Sequence, residues 1–231
     1  MTVMKHSLPF LLSLGILGIS APDVPAAPAA AQAPPTFALT DTADGKLGTV
    51  PAGMGLKVGS KAPSLTLDSV TGGQESLADL YAKGPTFVIF YRGGWCPFCN
   101  LQMHNLSLAK ADFDKIGVKL VAISVDLPTE EAKMQAKHGV PFPMLSDPKL
   151  KAHQVFHVVH VAPEPEQKAL AGFGIDLTAY SGESHKSFAV PSIFLVDKQG
   201  VIRFVHVDED YKTRPTIKQM LAVAQKALKT K

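Results

Sequence analysis

Cysteine is nearly absent from this 231-residue chain, and both copies fall in one short run, Trp95-Cys96-Pro97-Phe98-Cys99. That scarcity excludes several uses. A structural zinc site needs four ligands, usually with a second cysteine or histidine pair, and His104 alone cannot complete a tetrahedron. A stabilising disulfide joins distant segments, whereas a bridge across three residues closes too short a loop to stabilise much. No cysteine follows the N-terminal apolar run, which excludes a lipoprotein. Charge of one sign is also lacking. The formal net charge is +3 with the basic residues dispersed, so nothing points to nucleic acid. Outside the first residues, no stretch approaches the roughly 20 apolar residues that span a bilayer.

What is present at the N-terminus reads as a leader. Lys5 and His6 form a basic head, Leu8–Ile19 is an apolar run broken by Pro9 and Gly15, and the small-residue run Ala26-Ala27-Pro28-Ala29-Ala30-Ala31 follows. This is the pattern of a secretory signal peptide over 1–31. It predicts an exported protein, periplasmic or secreted, with no stable membrane association once the signal is cleaved. Residues 32–55, rich in Pro, Gly, Ala and Thr, read as a flexible or surface-draped lead-in. One domain, 56–231, follows. A mature chain of that length can build a core without disulfide staples, so the two cysteines are read as kept for chemistry.

The apolar run Thr86–Tyr91 leads into the Cys-x-x-Cys, and Asn100-Leu101-Gln102-Met103-His104 follows it. The motif therefore falls where a buried strand hands over to a helix N-terminus. Two thiols three apart in a first helical turn can close a small disulfide. The positive helix end draws a cysteine pKa from about 8.5 toward about 3.5–7.5. The pair reads as a redox-active dithiol in which Cys96, at the helix start beside Trp95, is the accessible sulfur.

Around this motif, strand and helix patterns alternate. Ser64–Asp68 alternates at period two before the turn Thr71-Gly72-Gly73, as in an edge hairpin. Leu101, Leu106, Leu108 and Phe113 mark one amphipathic helix ending near Gly117, and Val118–Val125 is a buried strand. Thr129 begins a helix that Gly139 ends. Ile193–Val196 and Val201–Val207 are strands joined by Asp197-Lys198-Gln199-Gly200, and Pro215 opens a last amphipathic helix. The order β-α-β-α…β-β-α implies an α/β fold, a mixed central sheet with helices on both faces.

That order, with a dithiol after the first central strand, resembles the thioredoxin fold. Within it, Val121–Asp126 and His138–Asp147 resemble the alkyl hydroperoxide reductase/thiol-specific antioxidant family of peroxiredoxins. The block Phe90–Cys99 is similar to a peroxiredoxin-like subgroup with a thioredoxin-style Cys-x-x-Cys. The resemblance implies an enzyme without a bound cofactor or metal, a hydroperoxide or protein disulfide as substrate, and an external thiol or thioredoxin-like electron donor. In the family's register the peroxidatic position falls on Cys99, its Thr position on Cys96, its Pro position on Arg92, and its later Arg position on Pro191. The peroxide-activating set is thus incomplete, with Arg92 the one nearby cation to substitute. Val190-Pro191 instead resembles the cis-proline segment that thioredoxins set against their dithiol. On that resemblance Pro191 is expected cis beside Cys96, with the Val190 backbone free to pair with an extended thiol partner.

The remaining candidates are weaker. His153, His157 and His160 align only if they share a helix, and Val155–Val161 reads more like a strand, which would split them between faces. Residues 162–185 read as an insertion with a short helix, a rim over the site. Tyr211 and Arg214 follow the last strand, either as a charged surface loop or as site residues. The expected functions are three: a thiol peroxidase, a thiol–disulfide oxidoreductase acting on other exported proteins, and a redox-sensing binding module. Cys96, Cys99, Arg92, Trp95, Pro97, Val190 and Pro191 are the predicted site residues.

Overall fold

The computed structural model describes residues 47–229. The expected signal segment 1–31 and the first part of the lead-in lie outside the described residues. The elements are β1 (Thr66–Ser69), β2 (Gln74–Ser76), α1 (Leu77–Lys83), β3 (Thr86–Phe90), α2 (Pro97–Leu108), α3 (Lys110–Lys115), β4 (Lys119–Ser124), α4 (Pro128–His138) and β5 (Met144–Ser146). They continue as α5 (Lys151–Val155), β6 (Val159–Val161), α6 (Glu164–Gly172), α7 (Leu177–Ser181), β7 (Ser187–Ala189), β8 (Ser192–Val196), β9 (Ile202–Val207) and α8 (Ile217–Lys229).

Seven strands form one mixed sheet in the order β2-β1-β5-β4-β3-β8-β9, and β6 and β7 form a separate ribbon. The central strands β3, β4 and β5 run parallel, while β8 pairs antiparallel with β3. All five residues of β3 are buried. A strand covered on both faces has no solvent side, so its sequence is a continuous apolar run rather than an alternation. The period of two sends Phe87, Ile89 and Tyr91 to the face that packs α2, α4 and α8, and Val88 and Phe90 to the face that packs α1 and α5. Both sulfurs belong to the first of these clusters, and a third, smaller one seats α6, α7 and β7 through Leu170, Leu177 and Phe188 against Val125 and Leu150.

The expected hairpin, central strands and mixed sheet are present, and three boundaries differ. The single helix expected over Leu101–Phe113 is two, α2 and α3, meeting at Ala109. Leu108 is turned to solvent, while the break lets Phe113 reach the sheet, edge-on to Phe87 at 5.9 Å. The last helix begins two residues after Pro215. Thr216 and Gln219 exchange a capping box there, Gln219 N–H to Thr216 Oγ1 at 3.2 Å and Thr216 N–H to Gln219 Oε1 at 2.8 Å, satisfying donors the helix start leaves open. The strand expected over Val155–Val161 begins as helix α5 and turns into β6 at His157, whose φ of 56° ends the helical run. Residues 47–55 lie along β9, where Val207 N–H donates to Thr49 C=O at 2.8 Å, and Gly55 N–H donates to His157 C=O at 2.8 Å.

Candidate active site

The chain leaves β3 at Phe90 and enters α2 at Pro97 through the loop 91–96, whose last residue, Cys96, is the N-cap of the helix. Pro97 at the first helical position starts the helix without wasting an N–H. Gly93 is needed for a steric reason. Its φ is 147°, and a Cβ there would lie 2.4 Å from Trp95 Nε1 and 2.8 Å from Asp126 Oδ1. Glycine is what allows the loop to lie against Asp126, whose Oδ2 accepts the Gly94 N–H at 2.6 Å.

Cys96 and Cys99 are both free thiols and both buried. They are hydrogen-bonded to each other but not equivalent. Cys96 gives its proton to the Cys99 sulfur, and this bond, then burial, then the charge on Cys99 push the Cys96 thiol well above its ordinary range. Burial pushes Cys99 up too, but more acts against it. The Cys96 hydrogen bond, the charge of Arg214, the Arg92 backbone N–H and a hydrogen bond from Arg214 together bring it down to about 6. Arg214 Nη2 donates to Cys99 Sγ at 3.6 Å, and Gln102, one turn on from Cys99, holds Arg214 Nε through Oε1 at 3.0 Å. The thiolate at neutral pH therefore belongs to Cys99. Its reactivity toward iodoacetamide is expected to rise as pH increases through about 6 and to level off above it, because only the thiolate attacks. A profile that climbs only near the ordinary thiol range, about 8.5, would place the thiolate elsewhere.

Arg92 approaches from the other side. Its backbone serves Cys99, while its guanidinium lies 4.2 Å from the Tyr211 ring centre, 4.6 Å from Phe188 and 4.8 Å from Trp95. Glu166 on α6 pairs with Arg92 at 2.8 Å and with His160 on β6 at 2.6 Å. The segment 162–185 thus reaches the site, bordering a cavity of about 110 Å³ shared by Arg92, His160, Glu166, Phe188, Pro191 and Tyr211. Glu166 is partly exposed, so its pairing is worth no more than about 1 kcal/mol. Glu166→Gln is accordingly expected to leave the fold intact and to speed alkylation of Cys99 by up to about fivefold, the factor that about 1 kcal/mol represents. An unchanged alkylation rate would mean that α6 does not limit access.

Two more buried carboxyls stand behind the dithiol. Glu131 accepts from Tyr91 Oη and Ser124 Oγ, both at 2.5 Å, and burial raises it to about 8. Burial also raises Asp126, to about 7. The Gly94 N–H opposes this, and the charges of Cys99 and Glu130 add to it.

The structure corrects four expectations. Cys96 is not the accessible sulfur: as N-cap, its side chain turns inward onto Cys99, and Pro97 is exposed instead. Pro191 is not cis, since there is no cis peptide bond among the described residues. The Val190 backbone is not free, because its N–H donates to Val158 C=O at 2.7 Å and its C=O accepts from Ser192 Oγ at 2.6 Å. Finally, the cation aimed at the sulfur is Arg214, with Arg92 engaged by Glu166 and the three rings. The three histidines part company. His153 is buried on Asp147 at 2.7 Å, His160 is on Glu166, and His157 sits at the turn between α5 and β6. Sequence reasoning did not single out Gln102, Asp126, Glu131 or Glu166. Glu131 reads as one more charge in Thr129-Glu130-Glu131, and only its helical position, one turn inward from the exposed side, sets it apart.

The AhpC/TSA family model matches residues 58–205. A peroxiredoxin of Mycobacterium tuberculosis is 38% identical over 93 residues, covering 40% of this chain and 59% of its own. The thiol-disulfide oxidoreductase ResA of Geobacillus kaustophilus is 31% identical over 109 residues, covering 47% and 60%. The chain thus spans about three-fifths of the length of these relatives. Among solved structures, peroxidoxin BcpB of Mycobacterium tuberculosis superposes with a TM-score of 0.56 at 22% identity, covering 75% of this chain and 94% of that one. That likeness is one of fold, a thioredoxin-fold peroxiredoxin architecture.

Proposed function

The chain belongs to the AhpC/TSA family, and from that premise we propose that it is a thiol peroxidase in which Cys99 reduces a hydroperoxide and Cys96 resolves the product. The observation that carries this reading is the Arg214 guanidinium on the Cys99 sulfur, at 3.6 Å in a buried site. A thiolate is not enough for fast peroxide reduction. The peroxide oxygens also need donors in place as the O–O bond breaks, and Arg214 supplies such donors beside the attacking sulfur.

The Cys99 thiolate attacks one peroxide oxygen, the S–O bond forms and the O–O bond breaks. The departing alkoxide or hydroxide takes up a proton, leaving Cys99 as a sulfenic acid. The Cys96 sulfur then attacks Cys99. The S–S bond forms, the S–O bond breaks, and the hydroxyl leaves as water with the proton Cys96 gives up. An external dithiol of thioredoxin type returns two electrons and two protons to the disulfide. The family's Thr position holds Cys96, so one donor is still exchanged for the resolving thiol. On this reading the protein works after export, as the leader pattern in 1–31 suggests.

A second reading, thiol–disulfide oxidoreductase, is favoured by the Cys-x-x-Cys at a helix start and by the similarity to ResA. Against it stands the Val190 backbone. An extended partner docks through free main-chain groups beside the dithiol, and Val190's one N–H is committed to Val158 while its C=O already accepts from Ser192. Trp95, the chain's single tryptophan, lies within the site and gives a fluorescence signal for stopped-flow work. Reduced protein is expected to react with hydrogen peroxide at least about 10²-fold faster than with a model protein disulfide, the scale on which one preorganised donor acts. The reverse order would move the assignment to disulfide exchange.

A further inference from the structure

Against the loop that carries the dithiol, the Asp126 carboxyl is fully buried and pairs with no cation among the described residues. Its Oδ2 is held by the Gly94 N–H, while its Oδ1 has no hydrogen-bond partner there. The indole N–H of Trp95 is buried and unpartnered as well, and both atoms flank Gly93. A buried carboxyl oxygen left without a partner is destabilising, and such a group in a native site calls for a reason.

The groups facing Asp126 are of three kinds. The Gly94 N–H favours its charge, while Cys99 on α2 and Glu130 on α4 disfavour it. Glu131 on α4, Tyr91 just after β3 and Tyr180 on α7 are in turn each pushed up by the Asp126 charge. Of these, only Cys99 changes charge during turnover: it is a thiolate when reduced and uncharged in a disulfide. Two buried anions so placed cannot ionise independently.

We propose that Asp126 is a positioning residue for the redox couple, whose carboxyl takes up a proton when the dithiol is reduced and releases it when the disulfide forms. The balance is explicit. Reduction breaks the S–S bond, adds two electrons from an external dithiol, leaves one proton on Cys96 and a thiolate on Cys99, and draws a second proton onto Asp126. Oxidation returns both. The anion at Asp126 would otherwise oppose the Cys99 thiolate, so this residue sets both the titration of Cys99 and the position of the redox equilibrium. The proposal rests on the reading of Cys96 and Cys99 as a redox pair, not on which oxidant they meet.

The test is a redox titration against glutathione at several pH values, which involves no peroxide and so separates its outcome from that of the peroxidase reading. With one proton per two electrons, the equilibrium constant changes tenfold per pH unit once corrected for the reference couple. The wild-type protein is expected to exceed that between pH 6.5 and 8. Asp126→Asn keeps an oxygen for Gly94 N–H and removes the charge. It is expected to return the dependence to tenfold per unit, to shift the equilibrium at pH 8 at least tenfold toward the reduced form (about 30 mV for this couple), and to move the Cys99 thiolate absorbance to lower pH. A purely structural role would move none of these three. A wild-type dependence of only tenfold overturns the proposal even if the variant does not fold, and so does a folded variant with the wild-type equilibrium and thiolate titration.

Discussion

Cys99→Ser is expected to abolish peroxide consumption, lowering it by at least about 10³-fold, the scale of losing an attacking nucleophile. Cys96→Ser should instead consume one equivalent of peroxide at the wild-type rate and then fail to turn over. The asymmetry follows from the two environments. Cys99 receives the Cys96 hydrogen bond, the Arg92 N–H and the Arg214 guanidinium, which bring it down to about 6 against burial. Cys96 spends its proton on Cys99 and is pushed up. A serine at 96 still donates a hydrogen bond to Cys99, so the thiolate survives, but it cannot close a disulfide. The sulfenic acid then persists and over-oxidises with excess peroxide. Peroxide consumption by stopped flow and intact mass of the products check both halves. Full single-turnover activity in Cys99→Ser, with none in Cys96→Ser, would exchange the two roles.

The second large effect is expected at Arg214. Arg214→Ala should slow the peroxide step by about 10²–10³-fold, the usual loss for one preorganised donor, and should raise the pH at which Cys99 ionises. Arg214→Lys should recover part of the ionisation shift and little of the rate, because an ammonium keeps the charge but not the planar fork that reaches both Cys99 and Gln102. The loss of rate must be separated from loss of fold. Removing this guanidinium frees Gln102 Oε1, at a cost of about 1–3 kcal/mol, so thermal unfolding should accompany the kinetics. If Arg214→Ala reduces peroxide at the wild-type rate with an unmoved Cys99 titration, the sulfur owes its state to the Cys96 hydrogen bond and the Arg92 N–H alone.

The lettering of the chain carries the scaffold well and the site unevenly. Thr86–Tyr91 and Ile193–Val196 are readable as buried strands because an apolar run of that length has no solvent face to encode. The dithiol at a helix start is readable because two cysteines at this spacing in a chain with no others have few other uses. The break at Ala109 is not readable, since Leu108 continues the apolar count although it faces solvent. Arg214 is legible only as one of two alternatives, a charged surface loop or a site residue, and the structure decides for the site. It lies 115 residues beyond Cys99, and only the turn after β9 brings its guanidinium to the sulfur. Counting along the family register leads to Pro191 instead, which directly precedes the interior strand β8 and borders the cavity beside Arg92. The proline itself was legible, but its surroundings were not, because the Val158 carbonyl that occupies the Val190 N–H comes from the α5–β6 connection. Glu131 is hidden in a charged stretch, and Asp126 reads only as the first residue of a turn after an apolar strand. Burial, rather than residue type, makes them unusual.

The most direct measurement is to mix the reduced wild-type protein with one equivalent of hydrogen peroxide in the presence of dimedone and map the adduct. The account predicts a sulfenic acid trapped on Cys99 alone, in competition with a Cys96–Cys99 disulfide that forms as dimedone is lowered. An adduct on Cys96, or a disulfide that forms only with a protein disulfide and never with peroxide, would contradict it.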